Sequence, residues 1–246
     1  MQQLKQLYRS NYSGEQVVTE LRYESGDWNP TVEMVPNSVF TTHTTTQAVA
    51  IGNGESRIGF DMNLIATHKA GFGGANRLQS YGCNAIYRDF APDFLIVSGD
   101  AIAEEIAGSG YCDNNIAYAN SDLVLRYPGK FYLIPQNLFY DTGALAAYMA
   151  CFDGHQKVFL MGYDSYDIPG PINNVYKDTN GYLPPDEMQD KTFWGMSLSN
   201  VVKAYPAVDF VRVMPTANWW IPEDLEPLTN FRQIDIRAFV LEADIG

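Results

Sequence analysis

The sequence predicts an α/β protein of the Rossmann-like kind, a three-layer sandwich around a mostly parallel sheet, and three observations carry that prediction. Short continuous apolar runs, AVAI at 48–51, FLIV at 94–97 and VFLM at 158–161, have the character of strands buried on both faces. Helical segments separate such runs, so strand, helix and strand recur at the spacing that parallel crossovers need. Each run ends in glycine or small polar residues: Gly52-Asn53-Gly54, Ser98-Gly99-Asp100, and Gly162 ahead of Asp164. In an open parallel sheet those positions share one rim, the carboxyl ends of the strands, where ligands bind.

Residues 1–46 differ in character from the rest of the chain. QVVTELRYE (16–24) and TVEMVP (31–36) are β-rich runs around the turn-forming SGDWNP (25–30), which predicts an N-terminal hairpin or arm. The Rossmann-like body spans 47–217 and opens with a strand at 48–52, then a helix within IGFDMNLIATHK (58–69). RLQSYGCNAIY (77–87) brings a second strand to Asn84, and PDFLIVSGD (92–100) a third, bounded by Pro92 and Gly99. AIAEEIAGSG (101–110) is a short helix stopped by Gly108 and Gly110. Strands follow at NIAYAN (115–120) and KFYLIP (130–135). DTGALAAYMACFDG (141–154) is a helix with Asp141 or Thr142 as N-cap, a small-residue face, and Gly154 as its stop. It feeds the strand KVFLMGYD (157–164). Residues 165–192, with Pro169, Pro171, Pro184 and Pro185, form a long irregular segment of the kind that serves as a lid or partner contact. SLSNVVKAY (197–205) and VDFVRVMP (208–215) close the body as helix and strand, and 218–246 is a C-terminal extension, an added strand or an oligomerisation arm.

Composition narrows the function. The chain has 246 residues, 46% of them hydrophobic, enough for one large core. Its 29 Asp and Glu against 16 Lys and Arg leave a formal charge of -13, a field that repels nucleic acid and anionic membrane surfaces. An anionic ligand must then be held by local donors. Three cysteines, Cys83, Cys112 and Cys151, with no CxxC spacing, suggest neither a disulfide framework nor a metal site and fit a reducing compartment. With no signal-peptide core and no apolar run of membrane-spanning length, the expectation is a soluble, cytoplasmic protein.

The stretch GNGES (52–56) has two readings, a phosphate-binding loop and a tight turn that needs glycine. The dinucleotide pattern GxGxxG fails at Arg57, and no GKS or GKT makes a Walker loop. What favours a ligand is that Asn53, Asn84 and Thr142 would meet at one rim, since Asn and Thr bind base, ribose or phosphate without adding negative charge. Asp141-Thr142-Gly143 opens a helix whose free amides and positive dipole end suit a phosphate. Arg57, just after the loop, is the arginine best placed to reach one. His155 precedes a strand, at the amino end of the sheet, and is expected as a surface or capping residue. The aromatics of GKFYLIPQNLFY (129–140) are expected in core and loop packing rather than as a sugar platform, and Trp219-Trp220 against the body or a partner subunit.

Taken in order, GNGES, then GCN (82–84), then TG (142–143) opening a small-residue helix, then GYDSY (162–166), resemble the bacterial lipooligosaccharide sialyltransferases, with their GNGPS-like loop, CN on the second strand, TSG helix start and G-x-D-x-Y segment. A similar order occurs in the domain-of-unknown-function 115 group, which includes a 6-hydroxymethylpterin pyrophosphokinase and flagellin-modifying enzymes, and PDFLIVSGD is closer to that group. The resemblance covers 47–215. It implies a glycosyltransferase-like protein that uses a CMP-sugar as donor, transfers to a glycan or other acceptor, and needs no metal. By the same resemblance Asn53, Gly54 and Ser56 contact the nucleotide phosphate and ribose, Asn84 the ribose or donor sugar, and Thr142 with Gly143 the cytosine or donor side. Asp164 positions the nucleotide, and Tyr166 with Tyr176 hydrogen-bonds the departing phosphate. One departure stands out: the family's general-base histidine has no counterpart in DKTFWGMSLSN (190–200), and only His43, His68 and His155 exist. Asp100 is the candidate base in its place, a carboxylate that partial desolvation would tune. Two other readings are open, a non-catalytic structural or assembly subunit that keeps the fold within a homo-oligomer or larger particle, and a pyrophosphokinase-like enzyme.

Overall fold

Burial on both faces is what the apolar strand runs require, and a computed structural model supplies it; it describes residues 3–9, 15–24, 27–36, 47–67, 78–164, 174–183 and 191–246, the first three stretches as backbone. β1 (Gln3–Arg9), β2 (Glu15–Glu24) and β3 (Asp27–Pro36) form a separate antiparallel meander, so the arm carries three strands. Eight more strands form the main sheet: β4 (Gln47–Ile51), β5 (Leu78–Cys83), β6 (Phe94–Val97), β7 (Ile116–Ala119), β8 (Tyr132–Leu133), β9 (Lys157–Met161), β10 (Asp209–Met214) and β11 (Phe231–Asp235). Their order is β11-β10-β9-β4-β5-β6-β7-β8 and every neighbouring pair is parallel. This is the Rossmann-like α/β sandwich expected from the sequence, with an all-parallel sheet. The chain builds outward from β4 to β8, then returns to β4's other side with β9, which places the topological switch between β4 and β9.

Side chains alternate between two cores, as the two-residue period of a strand dictates. Val49, Ile51, Phe159 and Met161 face the layer of α1 (Met62–Thr67), α2 (Asp100–Gly108), α3 (Ser121–Arg126) and α6 (Ile236–Glu242). Ala48, Ala50, Val158 and Leu160 face α4 (Thr142–Phe152) and α5 (Lys191–Ala204). α4 is buried from Ala144 to Cys151 because it lies between the sheet and α5. Alanines on both sides, Ala48 and Ala50 facing Ala144, Ala146, Ala147 and Ala150, let helix and sheet approach closely.

Several elements differ from expectation. The second strand stops at Cys83, and Asn84–Arg88 is a 3-10 turn entered through Asn84 at φ 47, a left-handed conformation that asparagine tolerates. α3 has no counterpart among the expected elements, since six residues are too few to show a period; Asn120 caps it, its side chain accepting from the Leu123 amide at 3.1 Å. α5 begins at Lys191, six residues ahead of the expected start at Ser197. The stretch FRQIDIRAFVLE divides at Asp235, which ends β11 and caps α6 by accepting from the Ala238 amide at 2.8 Å. His155 is not at the surface: it is 1% exposed, with Nε2 3.0 Å from the Tyr81 hydroxyl and 2.9 Å from Gln79 Oε1, and Tyr81 also donates to Asp153. A histidine turned into the sheet can complete a buried polar cluster there, which its place before a strand does not reveal. No described helix is long and apolar enough to cross a membrane.

Candidate functional site

The loops after β4 and β9 meet at the switch, and they meet backbone to backbone. The Gly52 amide donates to the Met161 carbonyl at 2.8 Å and the Gly54 amide to the Gly162 carbonyl at 3.0 Å, so the ladder continues past the strand ends. A Cβ on Gly54 would come within 2.4 Å of the Asp164 carboxyl carbon. The Ser56 amide donates to Asp164 Oδ2 at 2.8 Å. Burial raises the Asp164 pKa, opposed by Ser56 and by the charge of Arg212. Arg57, expected to reach out to a phosphate, is 6% exposed and turned inward; its Nη2 donates to the Tyr176 hydroxyl at 2.8 Å. The crevice between β4 and β9 is thus filled by the protein's own groups.

An open cleft lies one strand over. Its volume is about 370 Å³, within the range of small-molecule sites, and Asn84, Ser98, Gly99, Asp100, Ile102 and Tyr182 line it. Asn84 Nδ2 donates to the Thr142 hydroxyl at 3.2 Å, Asn84 Oδ1 accepts from the Ser98 amide at 2.8 Å, and the Ser98 and Thr142 hydroxyls bond each other. Three elements that are distant in sequence therefore converge on one polar corner. Asn53 joins it from the first loop, donating to the Cys83 carbonyl at 3.1 Å and to the Tyr182 hydroxyl at 3.0 Å. Burial pushes the Tyr182 phenol up to about 12, opposed by N–H groups of Asn53, Asn84 and Ala85. With N–H donors on its oxygen, the Tyr182 proton is left to serve an acceptor in the cleft.

Among the expected site residues, Asn53, Asn84 and Thr142 are brought together, with Gly54, Ser56 and Asp164 beside them at the same rim. Gly143 is committed on both sides: its amide donates to Asp141 Oδ1 at 2.8 Å and its carbonyl accepts from the Tyr163 hydroxyl at 2.6 Å. The amides opening α4 are consequently not free for a phosphate, because the Asp141 carboxylate already caps them; burial raises its pKa against the pull of the Gly143, Ala144 and Thr142 amides. Tyr176 does not line the cleft; its ring centroid lies 6.2 Å from that of Tyr182, and its hydroxyl donates to Asp89 and accepts from Arg57. Tyr166 is outside the described residues. Asp100 lines the cleft but is not desolvated, since its side chain is 75% exposed and paired with Arg126 at 2.7 Å.

Two residues of the site escape sequence reasoning. Tyr182 follows the Asn180-Gly181 dipeptide, a turn signal that marks where the irregular segment doubles back. Arg212, in the middle of a strand, is wholly buried; its Nε donates to the Tyr163 carbonyl at 2.8 Å, and Nη1 to the Trp220 carbonyl at 2.8 Å and Gln233 Oε1 at 3.1 Å. No local pattern announces such a cation.

Residues 174–183 strap the rim. The Val175 amide donates to the Asn53 carbonyl at 2.8 Å, Lys177 pairs with Glu55 at 2.7 Å, and Arg88 donates to the Thr179 hydroxyl at 2.6 Å and the Asn180 carbonyl at 3.0 Å. Glu105 closes the clasp, accepting from Arg88 and from Asn180 at 2.7 Å each. The Arg88 hydrogen bond is the main reason its carboxyl is held down at about 2 from an ordinary 4.5. A depressed carboxyl contributes stability above its unfolded value and loses it as pH falls through the folded one. The protection factors of the Asp178 and Tyr182 amides, which bond within the strap, taken against the intrinsic exchange rate at each pH, are expected to fall from about pH 4.5 downward toward 2, and Glu105→Gln to abolish that fall. An unchanged pH profile in the variant would remove Glu105 as the fastening.

The strand order defines a Rossmann-like α/β protein, with an open polar cleft at the carboxyl ends of its strands. No protein-family model matches the chain, and no curated protein does. Among solved structures it is similar to the sialyltransferase CST-II, in an asparagine-to-alanine form in complex with CMP, at 13% identity and a TM-score of 0.48, over 81% of this chain and 99% of that one. The fold class stands on the strand order itself, independently of that neighbour.

Proposed function

We propose that the chain is a glycosyltransferase-like protein that binds a nucleotide-linked sugar, of the CMP-sugar type, in the cleft at the ends of β5 and β6 and transfers without a metal. The observation that supports it most is the convergence of Asn84, Ser98 and Thr142, joined by Tyr182, at the cleft wall. Neutral amides and hydroxyls suit ribose, sugar and base oxygens in a protein whose net charge of -13 repels anions at long range. As the glycosidic bond breaks, charge gathers on the leaving phosphate. The Tyr182 hydroxyl is placed to donate there, and a donor aimed at developing charge stabilises the transition state more than the ground state. Asp100 is the carboxylate among the cleft's lining residues and, although exposed and paired with Arg126, is the group that would take the acceptor's proton.

Calorimetry with CMP and a CMP-sugar tests the reading. Binding is expected, unaffected by a chelator, and weakened about tenfold by Tyr182→Phe, the size of one lost hydrogen bond. Absence of heat with these and with the other common nucleotides would sink it. A second reading, a binding or assembly protein without turnover, is favoured by the fact that Asn84 already donates to Thr142 and Asn53 to Tyr182. Nucleotide binding with no donor hydrolysis or transfer separates the two.

A further inference from the structure

We propose that Phe139, with Phe193 and Met196, is a stacking platform for a pyranose ring of the acceptor; the word acceptor rests on reading the neighbouring cleft as a donor site. Phe139 is 83% exposed, whereas Phe131 in the same aromatic stretch is fully buried. The expectation of core or loop packing for this stretch therefore fails at Phe139. Its ring lies 5.6 Å from that of Phe193 at a 44° tilt, and Met196, one turn further along α5, is 48% exposed. The two elements are tied together where the Asp141 amide donates to the Ser197 hydroxyl at 3.3 Å.

Place and size decide the occupant. Phe139 is three residues from Thr142, a Cα separation of at most about 11 Å even in extended chain, and Thr142 in turn bonds Asn84 and Ser98 of the cleft lining. Two rings and a thioether offer a few hundred Å² at most, below the roughly 800 Å² per partner of a stable protein interface. The net charge of -13 opposes an anionic membrane. A pyranose presents a flat C–H face with hydroxyls around its edge, which suits exposed aromatic rings a few residues along the chain from Thr142, itself bonded to Asn84 and Ser98.

The test is saturation-transfer NMR on the full chain with methyl β-D-galactopyranoside and methyl β-D-glucopyranoside, in the presence of CMP. Transfer is expected on the C–H protons of one ring face, reduced at least about fivefold by Phe139→Ala and kept by Phe139→Trp, in line with the worth of an aromatic contact. Ile58→Ala, which removes another exposed apolar side chain, should leave it unchanged. Equal transfer in wild type and Phe139→Ala, or none from either glycoside to a chain that binds CMP, overturns the platform. So does concentration-dependent self-association, measured by sedimentation, that Phe139→Ala abolishes. Glycoside transfer that depends on Phe139 in a chain that gives no heat with CMP supports the platform and removes the donor reading alone.

Discussion

Gly162→Ala is expected to cost about 2–5 kcal/mol, the sum of a left-handed backbone and a steric collision, roughly 1–2 and 1–3 kcal/mol. Gly162 has φ 71, and a Cβ there would lie 2.6 Å from the Gly52 carbonyl oxygen and 3.0 Å from its carbon. Neither neighbour can give way, because Gly52 is itself bonded to Met161 at 2.8 Å and holds the loop that carries Asn53. Gly59→Ala provides the control: Gly59 has φ 90 but a Cβ there would meet nothing within 4 Å, so only the backbone cost of about 1–2 kcal/mol applies. Urea denaturation followed by circular dichroism gives both values. If the two variants unfold at the same midpoint, the collision does not exist and the loops after β4 and β9 are not in contact.

Arg212→Ala is expected to lose about 3–5 kcal/mol, the range for breaking a buried charged network. The side chain is wholly buried, and its removal leaves the carbonyls of Tyr163 and Trp220 without the donor they have now, as well as a cavity. Burial lowers the pKa to about 10, opposed by Asp164, so the cation is held at a cost that its acceptors offset. Arg212→Lys keeps the charge but is expected to recover only part of the loss, since one ammonium cannot reproduce the forked geometry that reaches Tyr163, Trp220 and Gln233 together. Thermal unfolding of the pair measures this. Full recovery in the lysine variant would show that charge alone, not the fork, matters.

Legibility in the sequence followed the range of the cause. The strands at 47–51, 94–97 and 157–161 were readable because apolar continuity is local, and Asp141 as the cap of α4 because capping reaches only two residues ahead. Asn53, Asn84 and Thr142 could be assigned to one rim, since a parallel sheet sends every strand end to the same side. Arg57 went astray for a different reason. Its burial depends on Tyr176, 119 positions away, and nothing near Arg57 signals that ring. Asp100 likewise could not be seen from its neighbours to pair with Arg126, which lies on another helix.

The amino-acid sequence by itself determined the layered parallel fold and the set of polar residues delivered to its carboxyl edge, because hydrophobic period, turn chemistry and strand direction act over a few residues. Only the tertiary structure decided which of those groups still face a ligand and which have been consumed. A hydrogen-bond donor can be spent only by the partner that folding brings to it, and for Asn53 those partners stand 30 and 129 positions away.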